Sequence, residues 1–200
     1  KTEGGDMREY IIFNPTDTRT PAFSQNVNNQ NLHAFPQTDY LIISHKPFRS
    51  AADQLARFHE ERGEFSVRVV NINEVYNEFS SGAPDLTAIK DFMKMFYDRA
   101  GNDASKLPKY LLLFGGASYD YKDRISGNTN HIPIYQSANS ESPTGSFMRD
   151  DYVGFLDDDE GDDVRSGLDI GVGRIPVNTN SQAQNVVNKI IRYHRIPQSF

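Results

Sequence analysis

From residue 40 onward, apolar residues come in short bursts of two kinds. Tyr40-Leu41-Ile42-Ile43-Ser44 and Tyr110-Leu111-Leu112-Leu113-Phe114 are unbroken apolar runs, the pattern of strands buried on both faces. Phe65 to Asn71, with Val67, Val69 and Val70, predicts another strand. Between the runs, apolar residues recur at spacings of three and four, which stacks them on one stripe of a helix. One stripe holds Phe48, Ala51, Ala52, Leu55, Ala56 and His59. A second holds Leu86, Ile89, Phe92, Met93, Phe96 and Ala100, and a third Ala183, Val186, Val187, Ile190, Ile191 and His194. A short helix is expected over 73–79. The punctuation agrees: Pro47 opens the first long helix and Gly63 closes it, Asp85 is placed to cap the second, and Gly101 stops it. Ser181 and Gln184 have capping-box spacing at the start of the third. Leu168 to Ile175 reads as another central strand, with Gly171 and Gly173 allowing a neighbour to approach closely. Strands alternating with helices predict an α/β fold, a mostly parallel sheet with helices on both faces.

The first part of the chain breaks this pattern. Residues 1–37 are polar and rich in Asn, Thr and Gln, with one strand-like patch at Tyr10-Ile11-Ile12-Phe13. They read as an extended arm, or a linker from an upstream domain. Residues 38–197 form the α/β unit, and 198–200 begin a link onward. The stretch from Ala117 to Gly145 is polar except for Ile132-Pro133-Ile134-Tyr135. No internal repeat is present.

With 13 Phe and 10 Tyr in 200 residues, the chain can build a core, and disorder is excluded. Lys plus Arg number 21 against 27 Asp plus Glu, a net charge of -6. That argues against nucleic acid or an anionic membrane as the main partner, since both need a basic footprint. No apolar run reaches membrane-spanning length. The polar start at Lys1, without an initiating Met, suggests a mature fragment or an excised piece of a longer chain. The cysteine count of 0 excludes disulfides, thiolate metal sites and a cysteine nucleophile within this chain.

Chemistry in open α/β sheets sits beyond the carboxyl ends of the strands. Ser44-His45, Asn71, Gly115 to Ser118, and Arg174 are expected there. His45 stands where a general base would; the plainer reading is that it bonds loop backbone. Gly116-Ala117-Ser118-Tyr119-Asp120 begins like a nucleophile elbow, but Asp120 replaces the second Gly of that tight turn. A Ser118–His131–Asp120 triad is conceivable; Ser118 and Asp120 ordering their loop is the simpler expectation. Gly171-x-Gly173 is not a dinucleotide fingerprint, because it lies inside a strand and lacks the third Gly. In the acidic segment, Asp157, Asp159 and Asp163 around Gly161 are the candidate metal ligands, and calcium is the ion such oxygens would take. The competing reading is a solvated acidic hairpin tip between strand-like Val153–Leu156 and Leu168–Gly173. His59 and His194 fall on helix stripes, and His33 and His131 have no ligands at zinc spacing.

Several strings taken together carry a resemblance. Asn31-Leu32-His33 leads to Thr38-Asp39-Tyr40-Leu41-Ile42-Ile43-Ser44-His45. Leu111-Leu112-Leu113-Phe114-Gly115 leads to Ser118-Tyr119-Asp120. Asp150-Asp151-Tyr152 and Phe155-Leu156-Asp157 precede Asp169-Ile170-Gly171-Val172-Gly173-Arg174-Ile175-Pro176-Val177. Over Asn31 to His194 the chain resembles the gingipain-type cysteine peptidases, and among them the PorU-type sortases of the type IX secretion system of Bacteroidetes bacteria. One departure is Gly116, where an acidic residue is expected in many relatives. The resemblance implies a caspase-like fold of two α/β subdomains, of which this chain is the first, non-catalytic one. No catalytic residue carries over, and no cofactor is implied. The implied partners are the catalytic subdomain of the same polypeptide and, through the parent protein, secreted-protein substrates that lose C-terminal sorting domains. The implied location is the outer membrane or cell surface, outside the cytoplasm. The alternative function is an acidic, calcium-binding interaction module.

Overall fold

The computed structural model describes residues 10–23, 26–138, 141–142, 144–158, 160 and 167–195. In chain order the elements are β1 (Tyr40–Ser44), α1 (Arg49–Glu61), β2 (Val67–Asn71), α2 (Ile72–Phe79), α3 (Leu86–Ala100), β3 (Tyr110–Phe114), β4 (Tyr135–Gln136), β5 (Met148–Arg149), β6 (Gly171–Ile175) and α4 (Asn180–Arg195). Four strands form one parallel sheet in the order β2-β1-β3-β6. The fold is the α/β architecture expected, with helices on both faces.

Burial explains the order. β1 and β3 are the continuous apolar runs, and they take the two central positions with nearly every residue buried. Their side chains alternate between faces. Leu41, Ile43, Leu111 and Leu113 pack with α2 and α3, while Ile42, Leu112 and Phe114 pack with α1 and α4. β6 was expected to be central and is an edge strand, half exposed along its length. Gly171 marks close approach, not two-sided burial, since a Cβ there would come within 2.9 Å of the Tyr110 ring, whereas a Cβ on Gly173 would meet nothing within 4 Å, so the close neighbour expected there is absent among the described residues.

Local stops match the sequence signals in two cases and shift in a third. Asp85 Oδ1 accepts from Thr87 N–H at 2.8 Å and opens α3. Gly101 follows α3 at φ +53, a conformation that favours glycine. α4, however, begins earlier than the Ser181–Gln184 spacing implied. Thr179 Oγ1 accepts from Gln182 N–H at 3.2 Å, and Gln182 Oε1 accepts from Asn178 N–H at 2.8 Å. Gln184 instead donates to Gln54 on α1.

Two other expectations are corrected. Tyr10 to Phe13 is exposed and lies in no strand, because no described strand edge pairs with it. Val153–Leu156 is not a hairpin arm; Asp151–Gly154 forms a 3-10 turn that tucks Val153, Phe155 and Leu156 into the core. A Cβ on Gly154 would sit 2.8 Å from Val172, so the turn can close on β6 only at a glycine. Among the described residues no helix is long and apolar enough to cross a membrane.

Candidate functional site

The chain passes from β1 to β2 on one side and to β3 on the other. The carboxyl ends of β1 and β3 are therefore the switch point at which open α/β sheets hold ligands. His45 follows β1, and Gly115 and Gly116 follow β3. His131 returns from the polar loop to meet them: its N–H donates to Gly116 O at 3.0 Å. The His45 and His131 rings stack with centroids 4.3 Å apart, and Phe48 stands edge-on to His131 at 5.3 Å. The His45 main chain donates its N–H to Phe114 O at 3.3 Å and accepts from Phe48 N–H at 2.9 Å. Two stacked imidazoles thus stand at this strand end. Gly116 is equally constrained, since a Cβ there would collide with Asn178 Oδ1. The acidic residue expected at this position in relatives would displace Asn178.

Burial lowers the pKa of both imidazoles below the ordinary 6.5; for His45 the neighbouring His131 adds to the shift, and for His131 the Asn178 backbone partly offsets it. As pH falls through 6.5, the unfolded chain takes up protons that the folded chain refuses, so stability is lost in the acid direction. The melting temperature is expected to fall as pH drops from 7 towards 5, and less so in His45→Gln, as differential scanning calorimetry would show. Carboxylates act lower. Burial would raise Asp39, but hydrogen bonds from Lys109 and Ser66 outweigh it and hold the group down at about 2, so its contribution fades only as pH falls from 3.8 towards that value.

The Ser118–His131–Asp120 constellation is not assembled. Ser118 Oγ accepts from Asp120 N–H at 3.1 Å, and Asp120 Oδ2 accepts from the N–H groups of Arg124 at 2.6 Å and Ile125 at 2.8 Å. Both side chains order the loop, and among the described residues no hydrogen bond joins Ser118 to His131.

Arg174 is the strand-end residue with the most partners. Nε and Nη2 grip the Asp150 carboxylate at 2.9 and 2.7 Å. Nη1 donates to Gly115 O at 3.0 Å and Ile132 O at 2.9 Å, and Nη2 to Pro133 O at 2.9 Å. Arg149 is nearby in sequence to Asp150, with its guanidinium 5.0 Å from the Tyr135 ring centre, 5.4 Å from Phe147 and 5.6 Å from Phe155. These two arginines fasten the long loops over the sheet. The sequence placed Arg174 at a strand end but gave no sign of Asp150 as its partner, or of His131 as the partner of His45.

Of the candidate metal ligands, Asp159 and Asp163 lie outside the described residues. Asp157 is exposed, and its Oδ1 accepts from the Tyr97 hydroxyl at 2.9 Å. One oxygen each from Asp157, Glu160 and Asp169 lie within 4.8 Å of one another. Glu160 Oε2 is buried and has no hydrogen-bond partner among the described residues. Two lysines border the group: Lys90 Nζ donates to Glu160 O at 2.7 Å, and Lys94 Nζ lies 2.8 Å from Asp158.

A sequence profile of peptidase family C25 matches residues 33–200. A crystal structure of dimeric latent PorU from Porphyromonas gingivalis is similar, with a TM-score of 0.72 and 37% identity, over 84% of this chain and 16% of that one. The chain therefore spans about a sixth of that polypeptide. No curated protein matches.

Proposed function

Because this chain belongs to peptidase family C25, we propose that it is the supporting, non-catalytic subdomain of a gingipain-like cysteine peptidase. The observation that carries the reading is that the family match runs through residues 33–200 of a chain with a cysteine count of 0. The thiolate that attacks a peptide carbonyl, and the histidine that activates it, would belong to the adjoining subdomain of the parent protein. This chain would supply the wall against which that subdomain packs, with Arg174 and Arg149 keeping the loops at the sheet end rigid. By the same reasoning the parent acts outside the cytoplasm, as a sortase on C-terminal domains of secreted proteins. The purified 200-residue chain is expected to hydrolyse no fluorogenic peptide, including those with Arg or Lys before the cut, and to take no fluorophosphonate label at Ser118. Turnover that survives a thiol-alkylating reagent would overturn the assignment.

A second reading is that the acidic segment holds calcium, and one observation favours it: the unpartnered Glu160 Oε2 beside Asp157 and Asp169. Calcium at millimolar concentration would then raise the melting temperature where magnesium does not, and Glu160→Gln would abolish the difference. Equal melting with either ion would leave the lysines as the only cations this segment uses.

A further inference from the structure

α1 and α4 lie side by side on one face of the sheet, and the seam between them opens into a groove of about 520 Å³. Phe58 and Ile191, both largely buried, line its apolar floor. Arg57 of α1 and Arg192 and Arg195 of α4 line it too, and among the described residues Glu61 is the one acid that does. Among the described residues none of these three guanidiniums is in an ion pair, whereas Arg49, Arg62 and Arg174 each hold a carboxylate. Both helices end here, and a helix end attracts a cation within its last turn. That accounts for Arg195 but not for Arg57, which stands a full turn before the end of α1.

We propose that this groove binds an acidic, partly apolar polypeptide segment of a partner protein. The groove is locally basic on a chain whose net charge is -6, so the sign is reversed where the surface is also concave and apolar-floored. Guanidinium forks match carboxylates in two-point contacts. The floor between them offers a dry seat for an aliphatic side chain, and the lining amides of Gln54 and Asn188, which bond each other at 3.3 Å, can exchange that bond for one to a peptide main chain. A nucleic acid would be repelled by the rest of the molecule. The inference does not depend on the peptidase reading.

The test uses the 200-residue chain and a dye-labelled peptide of repeated Glu-Glu-Leu units, read by fluorescence anisotropy at low salt. Binding is expected, with weakening of at least tenfold in Arg57→Glu/Arg192→Glu and in the milder Arg57→Gln/Arg192→Gln, whose melting temperatures check the fold. Arg68→Glu and Arg124→Glu, which change net charge outside the groove, should bind as the parent does. Equal loss in these controls, undiminished binding in the groove variants, or equally tight binding of heparin would overturn the proposal.

Discussion

Replacing Arg174 by Ala is expected to cost about 3–5 kcal/mol of folding stability, the usual cost of breaking a buried ion pair from one side. The side chain is only 9% exposed, and the substitution leaves the Asp150 carboxylate without its counter-ion. It also orphans the carbonyls of Gly115, Ile132 and Pro133, all three at buried residues. Each unsatisfied buried acceptor costs about 1–3 kcal/mol unless water reaches it. Arg174→Lys separates charge from shape. A lysine keeps the positive charge but has three donors on one nitrogen, against five in a planar fork. Lys is therefore expected to recover less than half of the loss in urea unfolding. Full recovery would mean that charge alone matters and that the carbonyls are not held by the fork. In a chain of this length each kcal/mol moves the melting temperature by roughly 2–4 °C, so the Ala variant is easily distinguished from surface substitutions.

This residue also shows where sequence reasoning reached its limit. The α/β order was legible because periods of two, of 3.6 and of unbroken burial are written locally, as in Tyr110–Phe114 against Leu86–Ala100. Edge or centre was not legible for β6, because glycine can mark either a buried strand or close approach, and only the position of Tyr110 decides between them. Apolar Val153, Phe155 and Leu156 read as strand-like, but three residues are too few to separate a strand from a tucked turn. The strand-end cluster needed contacts between distant segments. His45 meets His131, and Arg174 meets Asp150, across loops that no periodicity constrains. Of the metal candidates, Asp159 and Asp163 lie outside the described residues, and what alternation could not point to is that the fold brings Glu160 and Asp169 to Asp157.

Phe92→Ala is expected to be comparably severe, about 3–5 kcal/mol, through a different mechanism. Phe92 is 0% exposed on the inner face of α3. Its ring meets Phe79 at 5.5 Å and Phe96 at 5.3 Å, both near edge-on, so its loss removes aromatic contacts as well as buried area. The surrounding cluster is built mainly from side chains of β1, β3, α2 and α3, whose backbones are fixed by the sheet ladder and helix bonds, with Leu32, Ile132, Val153 and Leu156 added from the connections. Such a site cannot collapse onto the void, which places the cost at the upper end for truncation. Phe92→Leu fills most of the space and should lose markedly less. Tyr119→Ala, at a residue 67% exposed, should change stability by no more than about 0.5 kcal/mol. Chemical denaturation of the three variants gives the ranking directly. A loss at Phe92 no larger than at Tyr119 would mean that α3 does not pack on the sheet, and with it the two-faced architecture that holds the strand ends in place would fall.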